Sequence, residues 1–148
     1  GPPLFLKIAP DLDTAEVEHV AAVLLESAVG ALVVANTTLA RPAGLRSAHA
    51  GEAGGLSGQP LAGPALSMLR LFRQLLGTRL PLVAAGGVST PADAYARIRA
   101  GASAVQLYTA MIYEGPTIAA RIAADLGQLL RRDGFSSVME AVGTEESA

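Results

Sequence analysis

Residues 82–109 read LVAAGGVSTPADAYARIRAGASAVQLYT, and this stretch decides the fold of the chain. It contains two short apolar runs that end in small or hydroxylated residues, and a helical pattern follows each run. The pattern predicts two neighbouring parallel strands whose carboxyl ends lead through tight corners into helices. Free backbone N–H groups gather at such corners and bind anions, most often phosphate. Gly86-Gly87 alone is typical of a ligand-free turn, so the phosphate hypothesis depends on the second corner, Tyr108-Thr109.

The sequence on both sides of this stretch continues the alternation of strand and helix. We expect strands at residues 4–9, 31–35, 80–85 and 102–107, and helices at 11–27, 60–76, from 90 onward and at 116–132. Asp13 or Thr14 can cap the first helix, and Gly30 is expected to end it. Thr90 caps the third helix and a proline follows in its first turn. The tail, 135–148, is expected to form a short turn or helix and then a frayed end.

Four strand–helix units with near-continuous apolar strands predict a parallel α/β sheet with right-handed crossovers. Such a sheet belongs either to an open doubly wound fold or to a (β/α)8 TIM barrel, of which 148 residues form about half. No Gly-x-Gly-x-x-Gly follows the first strand, which weakens a dinucleotide-binding fold. The barrel is favoured because the polar signatures all lie at the carboxyl ends of strands, the active face of barrels. These signatures are Lys7, Asn36-Thr37-Thr38, Gly86-Gly87 and Tyr108-Thr109.

The composition excludes several classes of protein. Hydrophobic residues make up 51% of the chain and charged residues 16%, which suits one buried domain over residues 1–148 and argues against disorder. A net charge of -2 without a basic cluster gives no sign of nucleic-acid binding. The absence of cysteine excludes disulfides and thiolate sites. No bilayer-spanning run or signal peptide is present, so we expect a soluble segment, and the Gly1-Pro2-Pro3 opening suggests a piece of a longer protein.

The connection at residues 36–59 is long enough to carry information about function. Connections longer than about 12–15 residues are usually either functional or disordered. This one contains Arg41-Pro-Ala-Gly-Leu-Arg46 and Gly54-Gly55-Leu56-Ser57-Gly58. Two interpretations stay open: a lid or second ligand-contacting loop, and a flexible, solvated connector.

Seven motifs together resemble the carboxyl-terminal half of a dihydroorotate dehydrogenase of the membrane-associated, quinone-reducing class. They stand in family order and at family spacing from Leu4 to about Gly143. They are Leu6-Lys-Ile-Ala-Pro-Asp-Leu12, Asn36-Thr-Thr38, Arg41-Pro-Ala-Gly-Leu45, Gly54-Gly-Leu-Ser-Gly-Gln-Pro-Leu61, Gly86-Gly-Val-Ser89, Ile98-Arg-Ala-Gly-Ala-Ser103, and Val105-Gln-Leu-Tyr-Thr109 with Gly115-Pro116 after it.

The resemblance implies an FMN-dependent enzyme that oxidises dihydroorotate to orotate in pyrimidine biosynthesis and passes the electrons to a quinone. It implies that FMN phosphate contacts Gly86-Gly87 and Tyr108-Thr109, and that Ser57 and Gly58 approach the flavin. Ala35 stands where many family members carry a threonine, so only a backbone contact to FMN is expected there.

Three further residues receive roles from the resemblance. Lys7 lies against the isoalloxazine ring, where a cation stabilises the charge near N1 of reduced flavin. A lysine within an apolar strand must find a counter-charge or ligand, although a lysine at a strand end can also extend into solvent. Asn36 and Thr37 hydrogen-bond dihydroorotate, since an amide offers both donor and acceptor. The alternative for this pair is a strand-end cap and turn.

The same resemblance places several parts of the enzyme in the first half of the barrel, outside this chain. These are the general-base serine and the amino-terminal helices that contact quinone and the bacterial or mitochondrial inner membrane. No catalytic residue is therefore assigned here, and Ser27, Ser57, Ser89 and Ser103 are not proposed for that role.

The remaining polar residues receive structural interpretations. Two histidines, His19 and His49, without paired carboxylates make a metal site unexpected. Tyr95 is expected to pack in the core, and a solvated helix face is expected to hold Glu16, Glu18, Arg97, Arg99, Arg131 and Arg132. Two other functions stay open: a flavin-free phosphate-binding barrel enzyme, and an inactive fragment that associates with itself or with its missing half through open strand edges.

Overall fold

A four-stranded parallel sheet forms the centre of the computed structural model, which describes residues 1–145. The strands are β1 (Leu4–Ile8), β2 (Val29–Val34), β3 (Leu82–Ala85) and β4 (Ala102–Gln106), and they lie in the order β1-β2-β3-β4. Each strand pairs with the one before it, so the sheet has no point where the strand order reverses. A doubly wound sheet requires such a reversal and a barrel does not, so this part of the chain has the architecture of a barrel.

Six α-helices accompany the strands within residues 1–145. They are α1 (Thr14–Glu26), α2 (Ala62–Leu76), α3 (Pro91–Arg99), α4 (Thr109–Glu114), α5 (Ile118–Arg132) and α6 (Val138–Ala141), and a short 3-10 helix, Gln59–Leu61, precedes α2. None of the helices in this part of the chain is long and apolar enough to cross a bilayer.

The caps predicted for two helices are confirmed. Asp13 accepts a hydrogen bond from the Glu16 amide while the Glu16 carboxylate accepts from the Asp13 amide. Thr90 and Asp93 form the same reciprocal pair at the start of α3. Because these residues satisfy amides that have no partner within the helix, they fix where each helix begins.

The main core lies between one face of the sheet and helices α1 and α2. Val17, Ala21 and Leu24 contribute the apolar stripe predicted for α1, and the α2 side contributes Met68, Leu69, Phe72 and Leu76. The opposite face of the sheet carries smaller side chains, Ala31, Val33, Val83 and Ala85. Tyr95 is buried, as predicted, in a third cluster with Ile98 and Leu130.

One prediction about an individual element is wrong, one helix was not predicted, and the prediction for the tail is confirmed in its first part. Gly30 does not end α1, because the helix ends at Glu26 with Ser27 as its cap, and Gly30 lies inside β2. The segment after β4 forms the short helix α4, which the sequence analysis did not predict. The tail contains the short helix α6, which agrees with the expected short turn or helix, and residues 146–148, within the end that was expected to fray, lie outside the described residues.

Candidate functional site

A large cavity of about 960 Å³ opens at the carboxyl ends of the four strands. It brings together all ten residues that the sequence analysis selected for cofactor or substrate: Lys7, Ala35, Asn36, Thr37, Ser57, Gly58, Gly86, Gly87, Tyr108 and Thr109. Ligand cavities usually measure about 300–1,000 Å³, so the volume of this one lies at the upper end of that range.

The corner after β3 needs its glycines for packing as well as for shape. Gly86 and Gly87 have φ angles of 99° and 68°, values that residues with a side chain rarely adopt. A Cβ atom on Gly87 would lie 2.5 Å from the Ala62 nitrogen, and one on Gly86 would lie 2.8 Å from the Leu61 side chain. The glycines therefore let the start of α2 approach this corner closely, a reason that the sequence analysis did not give.

Asp93 ties the same corner to the beginning of α3. Its carboxylate accepts hydrogen bonds from the amides of Ser89 and Thr90 and from the Ser89 hydroxyl. Burial opposes ionisation of Asp93, but these hydrogen bonds outweigh burial and hold its pKa below the ordinary value. Ser89 also accepts a hydrogen bond from Gln59, which joins the corner to the end of the long connection.

The segment around Ser57 and Gly58 contacts the corner after β4. The Thr109 hydroxyl donates to the Ser57 hydroxyl at 3.0 Å. Gly58 has a φ of 81°, and a Cβ there would lie 3.2 Å from the Thr109 methyl carbon. The long connection thus reaches both corners of the predicted phosphate site.

The rest of the long connection is folded around one side chain. The Arg41 guanidinium donates hydrogen bonds to five backbone carbonyls, those of Leu39, Ala40, Ala50, Glu52 and Gly54. These bonds, and the lining of the cavity by 56–58, favour a ligand-contacting loop over a solvated connector.

A second anchor holds the base of this loop. Thr38 is buried, forms an antiparallel bridge with Leu56, and donates its hydroxyl to Asp11. The Thr38 hydrogen bond lowers the pKa of Asp11, because it stabilises the ionised carboxylate. The two ends of the loop are therefore fixed to each other and to the segment after β1.

Asn36 and Thr37 follow β2 at the floor of the cavity. The backbone N–H of Asn36 donates a hydrogen bond to the Ile8 carbonyl at 2.6 Å. This bond fixes Asn36 beside the end of β1. Its side-chain oxygen accepts from the Thr37 amide at 2.9 Å, so the turn predicted as the alternative is present. Both side chains are exposed to the cavity, and a turn does not prevent them from contacting a ligand.

Lys7 lies at the cavity, but the argument that its strand is buried is wrong. Residues 4–7 of β1 are exposed, including Phe5 at 53%. They are exposed because β1 pairs with β2 on one side only within the described chain. Lys7 therefore needs no buried counter-charge, and its position at the cavity is the observation that remains.

Arg97 is a residue of the site that the sequence analysis missed. It was expected on a solvated helix face, but it is 2% exposed. Its guanidinium donates to the carbonyls of Gly86 at 2.7 Å, Asp93 at 3.0 Å and Ala62 at 3.3 Å. Its position on α3 between buried Ala94 and Ile98 was the signal available in the sequence.

His19 and His49 lie outside the cavity, and His49 pairs with Glu52 at 2.5 Å on the exposed loop. Among residues 1–145, no three histidine or acidic side chains come together in a group that could hold a metal ion.

Comparisons with known proteins agree with the fold. A family model described as dihydroorotate dehydrogenase matches residues 1–130. Two proteins named dihydroorotate dehydrogenase (quinone), from Cereibacter sphaeroides and Novosphingobium aromaticivorans, are 58% and 52% identical to this chain over 142 and 143 residues. These matches cover 96% and 97% of this chain, but 40% and 41% of the relatives.

A solved structure gives the same result in three dimensions. The crystal structure of ligand-free DHODH from Eimeria tenella matches with a TM-score of 0.95 at 42% identity. The match covers 100% of this chain and 41% of that one. The chain therefore spans about two fifths of the length of the relatives that it matches.

Proposed function

The chain belongs to the dihydroorotate dehydrogenase family, and from this premise we propose that it forms the carboxyl-terminal part of a barrel enzyme that oxidises dihydroorotate to orotate. The proposed electron acceptor is a quinone, because the relatives are named for quinone. The observation that supports the proposal most strongly is the convergence of all ten selected residues on one cavity. Family membership also disfavours the flavin-free phosphate enzyme.

The cavity fits FMN as the cofactor. Among residues 1–145, no protein oxygen accepts a hydrogen bond from the Gly87 amide, although this residue lines the cavity. Such an amide suits a phosphate oxygen. We propose that Gly86-Gly87 and Tyr108-Thr109 hold the phosphate, while Ser57, Gly58 and the Ala35 backbone border the flavin. Bound FMN would accept the hydride that dihydroorotate loses.

Residues at the carboxyl ends of β1 and β2 are proposed to position the substrate and the flavin ring. Asn36 and Thr37 offer an amide and a hydroxyl to the carboxylate and ring amides of dihydroorotate. The Lys7 ammonium supplies positive charge at the same end of the sheet. Substrate binding and placement of the charge both need fixed geometry. The backbone hydrogen bond from Asn36 to Ile8, which joins the end of β1 to the residue after β2, contributes to it.

Other parts of the reaction are assigned to the portion of the relatives that this chain does not span. The general base, quinone access and any association with a membrane belong to that portion in this proposal. Lys7 on β1 and the pair Asn36 and Thr37 after β2 therefore bind and orient in this proposal, and none of them starts the reaction.

The test uses the complete barrel enzyme that includes these residues. We expect it to purify with stoichiometric FMN, visible in its absorption spectrum, and to lose that absorption when dihydroorotate is added without oxygen. N36A should keep the flavin but require far more dihydroorotate for bleaching. T78A, at an exposed residue of the loop before β3, serves as the control and should match the wild type. A complete enzyme that is colourless and takes up no FMN would refute the proposal.

A further inference from the structure

Arg97 is a buried cation with an unusual set of partners. Within the described chain its three hydrogen-bond acceptors are all backbone carbonyls, and no carboxylate lies within ion-pair distance. Burial lowers the pKa of Arg97 and the charge of Asp93 opposes this shift in part, but arginine starts from so high a value that it stays charged. A buried charge is costly unless nearby groups of opposite sign compensate it.

The strongest contact of Arg97 is with the peptide that joins Gly86 to Gly87. Its guanidinium donates to the Gly86 carbonyl at 2.7 Å, the shortest of its three contacts. The C=O and N–H of a trans peptide point in opposite directions, and this peptide is trans. The Gly87 N–H therefore points away from Arg97, on a residue that lines the cavity. A cation on the carbonyl side polarises the peptide and makes its N–H a stronger donor.

Within residues 1–145, few positive charges besides Arg97 lie near the place proposed for the phosphate. Lys7 is the only basic residue among those that line the cavity. It lies on β1, two strands away from β3, and neighbouring strands are about 4.8 Å apart. Asp93 adds a negative charge at the same corner, although Ser89 and Thr90 solvate its carboxylate. The nearest positive charge behind the corner is therefore Arg97.

From this arrangement we infer that Arg97 is a positioning residue, which fixes and polarises the Gly86–Gly87 peptide so that the Gly87 N–H binds the cofactor phosphate. The inference rests on the proposed function, because it takes FMN as the ligand. It differs from a purely structural role, in which Arg97 would only tie α3 to the start of α2 through the Ala62 carbonyl.

The experiment compares FMN with riboflavin, which has the same ring and no phosphate. Both are titrated into the flavin-free complete enzyme, and flavin fluorescence reports the dissociation constants. R97M should weaken FMN binding by about tenfold or more, since charge-assisted contacts are among the stronger hydrogen bonds. Riboflavin binding should stay unchanged. R97K keeps the charge and should restore part of the preference for FMN.

Two further variants keep the result decisive. R97Q retains an amide donor for the Gly86 carbonyl without the charge, so it should show the same selective loss if R97M does not fold. R79M is the matched control, because Arg79 also donates to backbone carbonyls, those of Leu75 and Leu76, at the distant end of α2. It should bind both flavins like the wild type.

Equal weakening of FMN and riboflavin in R97M or R97Q, or no weakening of either, would overturn the role of Arg97 while leaving the proposed function intact. Wild-type enzyme that binds neither flavin would overturn the proposed function and this inference together.

Discussion

Gly87 shows how one residue can serve both the packing of the protein and a proposed ligand. Its φ is positive, and a Cβ would meet the backbone of Ala62 on one side. On the other side its amide has no acceptor among the described residues. The same glycine therefore allows two close approaches, one by the start of α2 and one by a phosphate.

We predict that G87A destabilises the complete enzyme by about 1–3 kcal/mol, because the methyl group overlaps Ala62 and the backbone is strained. Urea denaturation measures the change. G63A is the control, since Gly63 lies in the first turn of α2 with open space around it. It should be neutral or stabilising by up to about 1 kcal/mol. Equal stability of G87A and the wild type would contradict the packing argument.

At the scale of elements, a polar contact joins α3 to the end of α5. The Tyr95 hydroxyl donates to Asp133 at 2.7 Å, and Arg132 donates to the same carboxylate. Hydrogen bonds from Arg132 and Tyr95 lower the pKa of Asp133 from 3.8 to about 2. The contact therefore stabilises the fold only while Asp133 is ionised.

We predict a matching dependence of stability on pH. A carboxyl whose pKa is depressed in the folded state contributes stability above its unfolded pKa and loses it on acidification. The contribution of Asp133 should be complete above about pH 4 and disappear toward pH 2. D133N should be less stable than the wild type at pH 6 and equally stable near pH 2 in denaturation curves. D125N, at an exposed carboxylate of α5, is the control. A difference between D133N and wild type that does not change with pH would contradict this.

The elements that the sequence predicted best are those decided by local patterns. Apolar runs predicted all four strands, and cap residues predicted the starts of α1 and α3. The helix α4 was missed because it is six residues long and has no side-chain cap, so tertiary contacts decide it. Gly30 was misjudged because glycine is compatible with an exposed place in a strand as well as with a helix end.

In the candidate site, too, the residues found from the sequence belong to local motifs, and those that were missed depend on distant contacts. Its ten residues could be selected because they occur in motifs of recognisable order. Arg97 was not selected: its place on α3 indicated burial, but nothing local indicates its contacts with the carbonyls of Gly86 and Ala62, which lie 11 and 35 positions away in the sequence. The role of Gly86-Gly87 in packing also depends on a distant segment, the start of α2.

At the scale of the whole molecule, the sheet is open, because β1 and β4 each pair with one neighbour only within the described residues. Leu4, Phe5 and Leu6 of β1 are exposed at 64%, 53% and 39%. Both edges of the sheet offer unpaired backbone groups within the described residues. Exposed apolar edges are templates for pairing with another chain.

We therefore predict that residues 1–148 alone associate and do not oxidise dihydroorotate. Sedimentation velocity should show species larger than a monomer. F5K should reduce the association, because a charge on an edge strand opposes pairing. L39K changes an exposed leucine in the loop and should leave the association unchanged. A monodisperse, active monomer would refute the prediction.

The loop around Arg41 has a consequence for how the sequence of this protein can vary. Its shape depends on one guanidinium and on carbonyl oxygens, which every amino acid possesses. Apart from Gly54, whose φ of 123° favours glycine, the residues that supply those carbonyls can therefore be exchanged during evolution with little effect on the shape of the loop. Arg41 cannot be exchanged even for lysine, whose single ammonium has three N–H donors and cannot serve five separate carbonyls. The side chains of the loop, and with them its contacts to a ligand, can therefore differ between related proteins while Arg41 stays the same.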